Sequence, residues 1–318
     1  MKNREWNSME EQGSSLWKDA FLRLSRNRAA MCSLLALALI VAACFLGPLL
    51  PWLPHPNVQD LSRIAESPSW QHWFGTDQLG RDLLARVLYG GRISLLVGVV
   101  ATGVSLVIGV TYGLVSGYAG GRLDALMMRL VDVLFALPFI VLVIIFSLSV
   151  EDPAQQLTQW VSGVTGWSVE MVSPMTGLIP LFIAIGALGW LTLARIVRTQ
   201  TLELKGQEFV EAARSLGIGH MKILFRHIAP NLFGSVIVYT ALAVPGIMLL
   251  EAVLSFLGLG VKAPNSSWGT LIKEGADRME VSPELLLFPA LLFSATLLAL
   301  NFLGDGLRDA LDPKSSKD

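Results

Sequence analysis

"SLLVGVVATGVSLVIGVTYGLVSG", residues 94–117, carries no charged side chain in 24 positions. A helix rises about 1.5 Å per residue, so this run is long enough to cross a hydrocarbon core about 30 Å thick. Lipid offers the backbone no hydrogen-bond partner, and a helix satisfies its own N–H and C=O groups where isolated strands do not. Gly109, Gly113 and Gly117 recur every fourth residue and form a ridge on which a second helix can pack backbone to backbone. The stretch therefore predicts a membrane-spanning helix with a helical neighbour.

Working outward, the whole 318-residue chain is 53% hydrophobic and 15% charged, with a mean hydropathy of +0.57. Soluble domains carry about a quarter charged residues. Five more apolar runs follow the same rule: Met31 to Leu50, Leu126 to Val150, Gly177 to Val197, Leu232 to Gly260 and Leu285 to Leu303. The expected fold is all-α, a polytopic membrane protein with six transmembrane helices in contact with lipid. A net charge of -1 argues against a nucleic-acid partner held by a broad basic face. Cys32 and Cys44 both fall in the first run and provide no disulfide framework. "VAAC" at 41–44 resembles a lipoprotein cleavage box, but a polar leader of this length and five later spans favour a retained helix.

Basic residues set the orientation. With the N-terminus inside, Lys2, Arg4, Lys18, Arg23, Arg26, Arg28, Arg122, Arg129, Arg195, Arg198, Lys205, Arg214, Lys222, Arg226, Arg308, Lys314 and Lys317 are cytoplasmic. Seven remain outside: Arg63, Arg81, Arg86, Arg92, Lys262, Lys273 and Arg278. Both termini are thus expected in the cytoplasm. Trp17, Ala20, Phe21 and Leu24 make an apolar stripe beside basic residues, the pattern of a helix lying in the inner membrane surface.

Pro138 and Pro245-Gly246 are expected to bend or break spans three and five, acting as helix hinges. Asp132 lies near the inner end of span three and Glu251 well inside span five; Asp305 and Arg308 follow span six. An acidic residue at a helix centre costs about 2.5–3.5 kcal/mol on insertion scales unless paired or hydrated. Glu251 and Asp132 therefore have two readings, a translocation path or a structural carboxylate between helices.

Catalytic readings find little support. His55, His72, His220 and His227 all lie in loops outside the apolar runs, with no metal-ligand spacing. "LGDG" around Asp305 lacks a second aspartate motif in an earlier span, and no Gly-Lys pair supplies a phosphate loop. The expectation is a non-catalytic subunit that binds no cofactor and does not hydrolyse ATP itself.

The polar connection after the fourth span contains "EFVEAARSLGIGHMKILFRHIAPNL" at 208–232, which reads as helix, glycine turn, helix. Phe209, Val210, Ala213 and Leu216 form its apolar stripe, Gly217 ends the first helix, and the second runs from His220 to about Ile228 before Pro230. Such a knob suits a groove on another protein.

Glu211-Ala212-Ala213, Gly217 and Pro230 resemble the EAA signature of ABC-importer membrane permeases. "FGTDQLGRDLLARVLYGGRISL" (74–95), "SFLGLGVKAPNSSWGTLI" (255–272) and "NFLGDGLRDALDP" (301–313) extend the resemblance along almost the whole chain. Together they resemble the C-type permease subunit of bacterial oligopeptide, dipeptide and nickel importers, with a type I importer permease fold. The resemblance implies a heterodimer with a homologous B-type permease, two cytoplasmic ABC ATPase subunits holding ATP and Mg, and an extracytoplasmic substrate-binding protein. It places the subunit in the bacterial inner membrane and implies that Glu211, Ala212, Ala213, Gly217 and Pro230 couple to the ATPase. The implied segments are a cytoplasmic tail with an interfacial helix (1–30), a first span with its outer loop (31–91), a permease core (92–304) containing the EAA loop (198–231), and a C-terminal tail (305–318).

Peptide is the first substrate expectation, nickel or another small solute the second. The rival mechanism is an ion-coupled secondary transporter using Glu251 and Asp132. Within the outer loop, Thr76 or Asp77 is expected to cap the helix of span two. The segment Glu151 to Thr176, with Trp160 and Trp167 and no Lys or Arg, is a candidate contact for the binding protein or an interfacial anchor.

Overall fold

The computed structural model describes residues 16–311. Lys2, Arg4, Lys314, Lys317 and Pro313 lie outside the described residues, as do the side chains of Trp17 and Lys18. The chain forms α1 (Leu16–Arg26), α2 (Arg28–Leu46), α3 (Leu83–Ala119), α4 (Gly121–Ala136), α5 (Phe139–Thr165), α6 (Val169–Thr176) and α7 (Ile179–Lys205). It continues as α8 (Glu208–Ser215), α9 (His220–Ile223), α10 (Ala229–Phe256), α11 (Trp268–Ala276) and α12 (Glu284–Leu311). Among the described residues, extended pairing is limited to one bridge between Thr76 and Asp82. Among the same residues, six helical stretches are long and apolar enough to cross a membrane: Arg28–Leu49, Leu83–Ala119, Phe139–Thr165, Ile179–Lys205, His220–Phe256 and Glu284–Leu311.

The glycine ridge of α3 meets α7. A Cβ on Gly113 would lie 2.6 Å from the Ala194 carbonyl oxygen and 2.9 Å from the Arg198 nitrogen, and one on Gly117 2.7 Å from the Arg198 carbonyl oxygen. Only hydrogen on these α-carbons permits the approach, which maximises dispersion contact where lipid supplies no hydrophobic drive. At the N-terminal end of α3, α11 tucks against α3 and α12. Its fully buried Trp268 donates an indole hydrogen bond to the Val87 carbonyl (3.0 Å) and packs edge-on to Phe293.

Several boundaries differ from the expectation. The third span begins at Phe139 and runs to Thr165 rather than from 126 to 150, because Leu137 is extended (ψ 147) before Pro138. Proline sterically disfavours helical geometry in the residue before it. The preceding residues form the separate amphipathic α4, with Val131 buried and Leu126 and Leu130 exposed. Segment 151–176, expected as a loop, is helical over most of its length, and Trp160 and Trp167 are exposed.

Span five is not broken at Pro245: α10 continues through it to Phe256. A proline removes one intrahelical bond, here to the Ala241 carbonyl, and the buried Ile247 and Met248 beyond it hold the helix in its packing. Asp305 and Arg308 lie within α12, whose helix extends past the apolar run to Leu311. The stripe on α1 is divided: Ala20 is buried, Leu24 approaches Gly306 of α12, and Phe21 stays exposed.

Candidate coupling site and permeation groove

Val210 and Ala213 turn inward from α8 into an apolar cluster with Leu114 of α3, Val197 of α7, and Ile223, Ile228 and Leu232. The opposite face leaves Glu208, Glu211, Ala212 and Ser215 exposed. Phe209 and Leu216, assigned to the apolar stripe, are exposed instead, Leu216 to 80%. The stripe is thus split between the subunit's own core and an open apolar rim.

Gly217 has φ +72°, the left-handed geometry that L side chains resist, and Ile218 N–H bonds back to the Ala213 carbonyl (3.1 Å). This closes α8 with a Schellman-type turn. His220 and His227 are helical rather than in loops. The His220 ring Nδ1 lies 2.9 Å from the Tyr118 hydroxyl, and Lys205 Nζ donates to the Tyr118 carbonyl (2.6 Å). The knob is therefore pinned to the end of α3.

Pro230 does not stop a helix. α9 passes into a π-turn, Leu224–Ile228, and then into α10, where Pro230 occupies the first turn. Ala229 N–H reaches the Leu224 carbonyl five residues back. Proline is tolerated in a first turn, where its missing N–H is not needed, and the wide turn makes room for its ring.

Two ion pairs brace the same end. Asp124 of α4 accepts from Arg198 Nε (2.5 Å) and Nη2 (2.6 Å) and from Ser116 Oγ (2.6 Å), tying α3, α4 and α7 together. Hydrogen bonding from the Arg198 guanidinium holds the Asp124 carboxyl below the usual carboxylate range. Asp132 accepts from Arg195 Nη2 (2.6 Å) with both side chains largely exposed, and Arg195 lies over the Phe135 ring.

Glu251 is fully buried. Ser94 Oγ (3.1 Å) and Ser255 Oγ (2.7 Å) donate to its carboxyl, and Trp268 N–H donates to Ser94 Oγ (3.1 Å). It thus joins α3, α10 and the start of α11. Its helix neighbours Leu250 and Val253 instead line a cavity of about 600 Å³ between α4, α5, α7 and α10. Leu137 and Gly246, beside the expected hinges Pro138 and Pro245, line that cavity too.

Leu181, Ile185, Leu188, Gly189 and Thr192 fall on one face of α7 and line three cavities along it, two of which share Gly189 and Thr192. Leu181, towards the start of α7, lines one of about 340 Å³, Ile185 to Thr192 the 600 Å³ cavity, and Gly189 and Thr192 a further one of about 210 Å³. The 600 Å³ cavity is walled almost wholly by apolar side chains, whereas the 340 Å³ cavity includes Glu151, Gln155, Gln159 and Lys262.

The 74–95 segment acquires a physical account. Asp82, not Thr76 or Asp77, caps α3 by accepting from Ala85 N–H (2.8 Å). Asp77 accepts from Leu79 N, Arg81 N, Arg81 Nε and Arg86 Nη1, and Arg86 forks onto Glu274 of α11. Thr76 Oγ1 donates to the Arg63 carbonyl. These residues lock the loop between α2 and α3 to α3 and α11. The Asp77 hub has a local signal in its i+4 spacing to Arg81; Glu274, 188 residues from Arg86, has none.

Residues 109–317 match the family described as binding-protein-dependent transport system inner membrane component. The chain belongs to this permease family of ABC importers. Residues 15–68 also match the N-terminal transmembrane domain of oligopeptide transport permease C. The permease is similar to the oligopeptide transport system permease protein OppC of Haemophilus influenzae, 47% identical over 96% of this chain and 91% of that protein. It is also similar to Bacillus subtilis OppC, 41% identical over 97% and 93%, and to the dipeptide transport system permease protein DppC of the same organism, 41% over 98% and 90%. This permease is a multi-pass, all-α subunit with the type I importer fold.

Proposed function

We propose that this permease forms half of a peptide path in the bacterial inner membrane, paired with a homologous B-type permease, with both termini cytoplasmic. Two ATPase subunits carry the ATP and Mg, and an extracytoplasmic binding protein delivers an oligopeptide or dipeptide. The subunit itself performs no bond-making chemistry. The observation that carries the coupling role is the two-faced α8. Val210 and Ala213 lock it to α3, α7 and α10, while Glu211, Ala212 and the rim residue Leu216 remain open to a partner.

Nucleotide binding draws the ATPases together, and their grip on α8 moves the inner ends of α7 and α10. A ligand shifts such an equilibrium only by binding the two states unequally, and nucleotide on the partner supplies that difference. Gly217 holds the turn that presents α8, Pro230 lets the segment continue into α10, and Pro138 and Pro245-Gly246 flank the cavity whose walls must move.

The test uses Glu211→Lys and Gly217→Pro in the complete importer. Membrane insertion and pairing with the second permease remain, while peptide uptake and substrate-stimulated ATPase activity collapse. Normal uptake by both variants would remove the coupling role.

A further inference from the structure

Glu151, Gln155 and Gln159 recur every fourth residue on α5 and face the cavity near the start of α7, with Thr158 and Thr176 deeper in its wall. Lys262, in the connection between α10 and α11, pairs with Glu151 across the lining. The pair is 63% and 32% exposed, so water screens it and an incoming charge can exchange with either partner. Its volume of about 340 Å³ falls within the roughly 300–1,000 Å³ of small-molecule sites. Leu181 in its wall lies one helical turn along α7 from Ile185, which lines the apolar cavity below.

We propose that this cavity is a subsite for the C-terminal end of a peptide entering the groove, with Lys262 taking the free carboxylate from Glu151. Gln155 and Gln159 each present a carbonyl acceptor and an amide donor, the two functions a peptide main chain needs. Charge reads the terminus and amides read the backbone, so recognition is independent of the peptide's side chains. The released Glu151 turns to water or, for the shortest peptides, to the terminal ammonium. The subsite rests on the peptide-import reading above.

The complete importer, reconstituted in vesicles with its binding protein, is given trialanine and trialanine amide, with ATP inside. Each variant's uptake is expressed relative to wild type for the same peptide, which removes any preference of the binding protein. Lys262→Met lowers trialanine uptake about tenfold and changes trialanine amide less than twofold. The double reversal Glu151→Lys with Lys262→Glu restores an ion pair but not trialanine uptake.

Equal losses for both peptides, or rescue by the double reversal, would show a structural tie and overturn the subsite. A peptide ending in benzoyl-phenylalanine, photolysed in the vanadate-trapped importer, crosslinks to α5 or to residues 259–262; crosslinks confined to other segments also overturn it. If wild type accumulates no peptide with ATP, the import reading fails and the subsite falls with it, an outcome distinct from the others.

Discussion

Gly113→Ala adds one methyl group where α3 and α7 leave no room for it. The new Cβ would sit 2.6 Å from the Ala194 carbonyl oxygen, whereas ordinary contact begins at 3.4 Å, so α7 must withdraw by 0.8 Å. Neither obstacle can rotate away, because the oxygen and the nearby Arg198 nitrogen are backbone. A gap of about 0.5–1 Å forfeits roughly a quarter to a half of each opposed contact's attraction. Overpacking of this kind costs about 1–3 kcal/mol. Alanine also gains about 1 kcal/mol of helix propensity over glycine, which obscures the result for a single variant. Gly103→Ala supplies the control: it lies on the same helix, makes the same chemical change and has nothing within 4 Å of its Cβ position. The propensity gain cancels between the two, leaving Gly113→Ala less stable by about 1–3 kcal/mol. Purified single chains titrated with SDS and followed by circular dichroism measure the difference. Coincident unfolding curves would refute the close-packed ridge.

Asp124→Asn removes the bidentate partner of Arg198 and costs about 1.5–3 kcal/mol at neutral pH, read from the same titration. Because the native Asp124 carboxyl is held low, its contribution is fully present above the unfolded value of about 3.9 and is lost as pH falls through the native value. The wild-type advantage therefore shrinks below about pH 4, and a gap that stays constant into acid would contradict the assignment. Glu251→Gln keeps an acceptor for Ser94 and Ser255 and should retain ATP-driven uptake, whereas Glu251→Ala opens a buried cavity and destabilises by about 2–4 kcal/mol. Complete loss of uptake in a stably folded Glu251→Gln protein would favour an ion-linked carboxylate. Gly217→Ala places a side chain at φ +72° and should weaken the α8 turn by about 1–2 kcal/mol, detected as faster proteolysis around residue 217.

The six spans were legible because a hydrocarbon core demands length and apolarity, and both are properties of a linear string. Their ends were less so. Apolarity places residues 126–150 in lipid but is blind to the steric effect of Pro138 on Leu137, which starts the helix at Phe139. Proline has no single effect on a helix: Pro245 is carried within one, without the break allowed for it, and Pro230 begins a helix it was expected to end. Periodicity found the stripe on α8 but could not divide it, since Val210 meets its own subunit and Leu216 faces outward with the same kind of side chain. The pairs Asp124–Arg198 and Glu151–Lys262 join residues 74 and 111 positions apart, beyond any local pattern. Glu251 was recognisable as costly, while the serines that receive it come from three separate segments if Ser267, next in the hydroxyl chain, is counted.

The π-turn at Leu224–Ile228 acts as a local store of slack between α9 and α10. It accommodates one residue more than a regular α-turn, and each residue turns a helix by about 100°. Because the wide turn takes up that residue locally, deleting one residue there and converting the turn to regular α-geometry would leave α9 and α10 in nearly their present rotational relation. A deletion within the regular turns of α10 has no such slack and would rotate everything beyond it by about 100°, so the π-turn is where the helical stretch from His220 to Phe256 can shed a residue without re-aiming its faces.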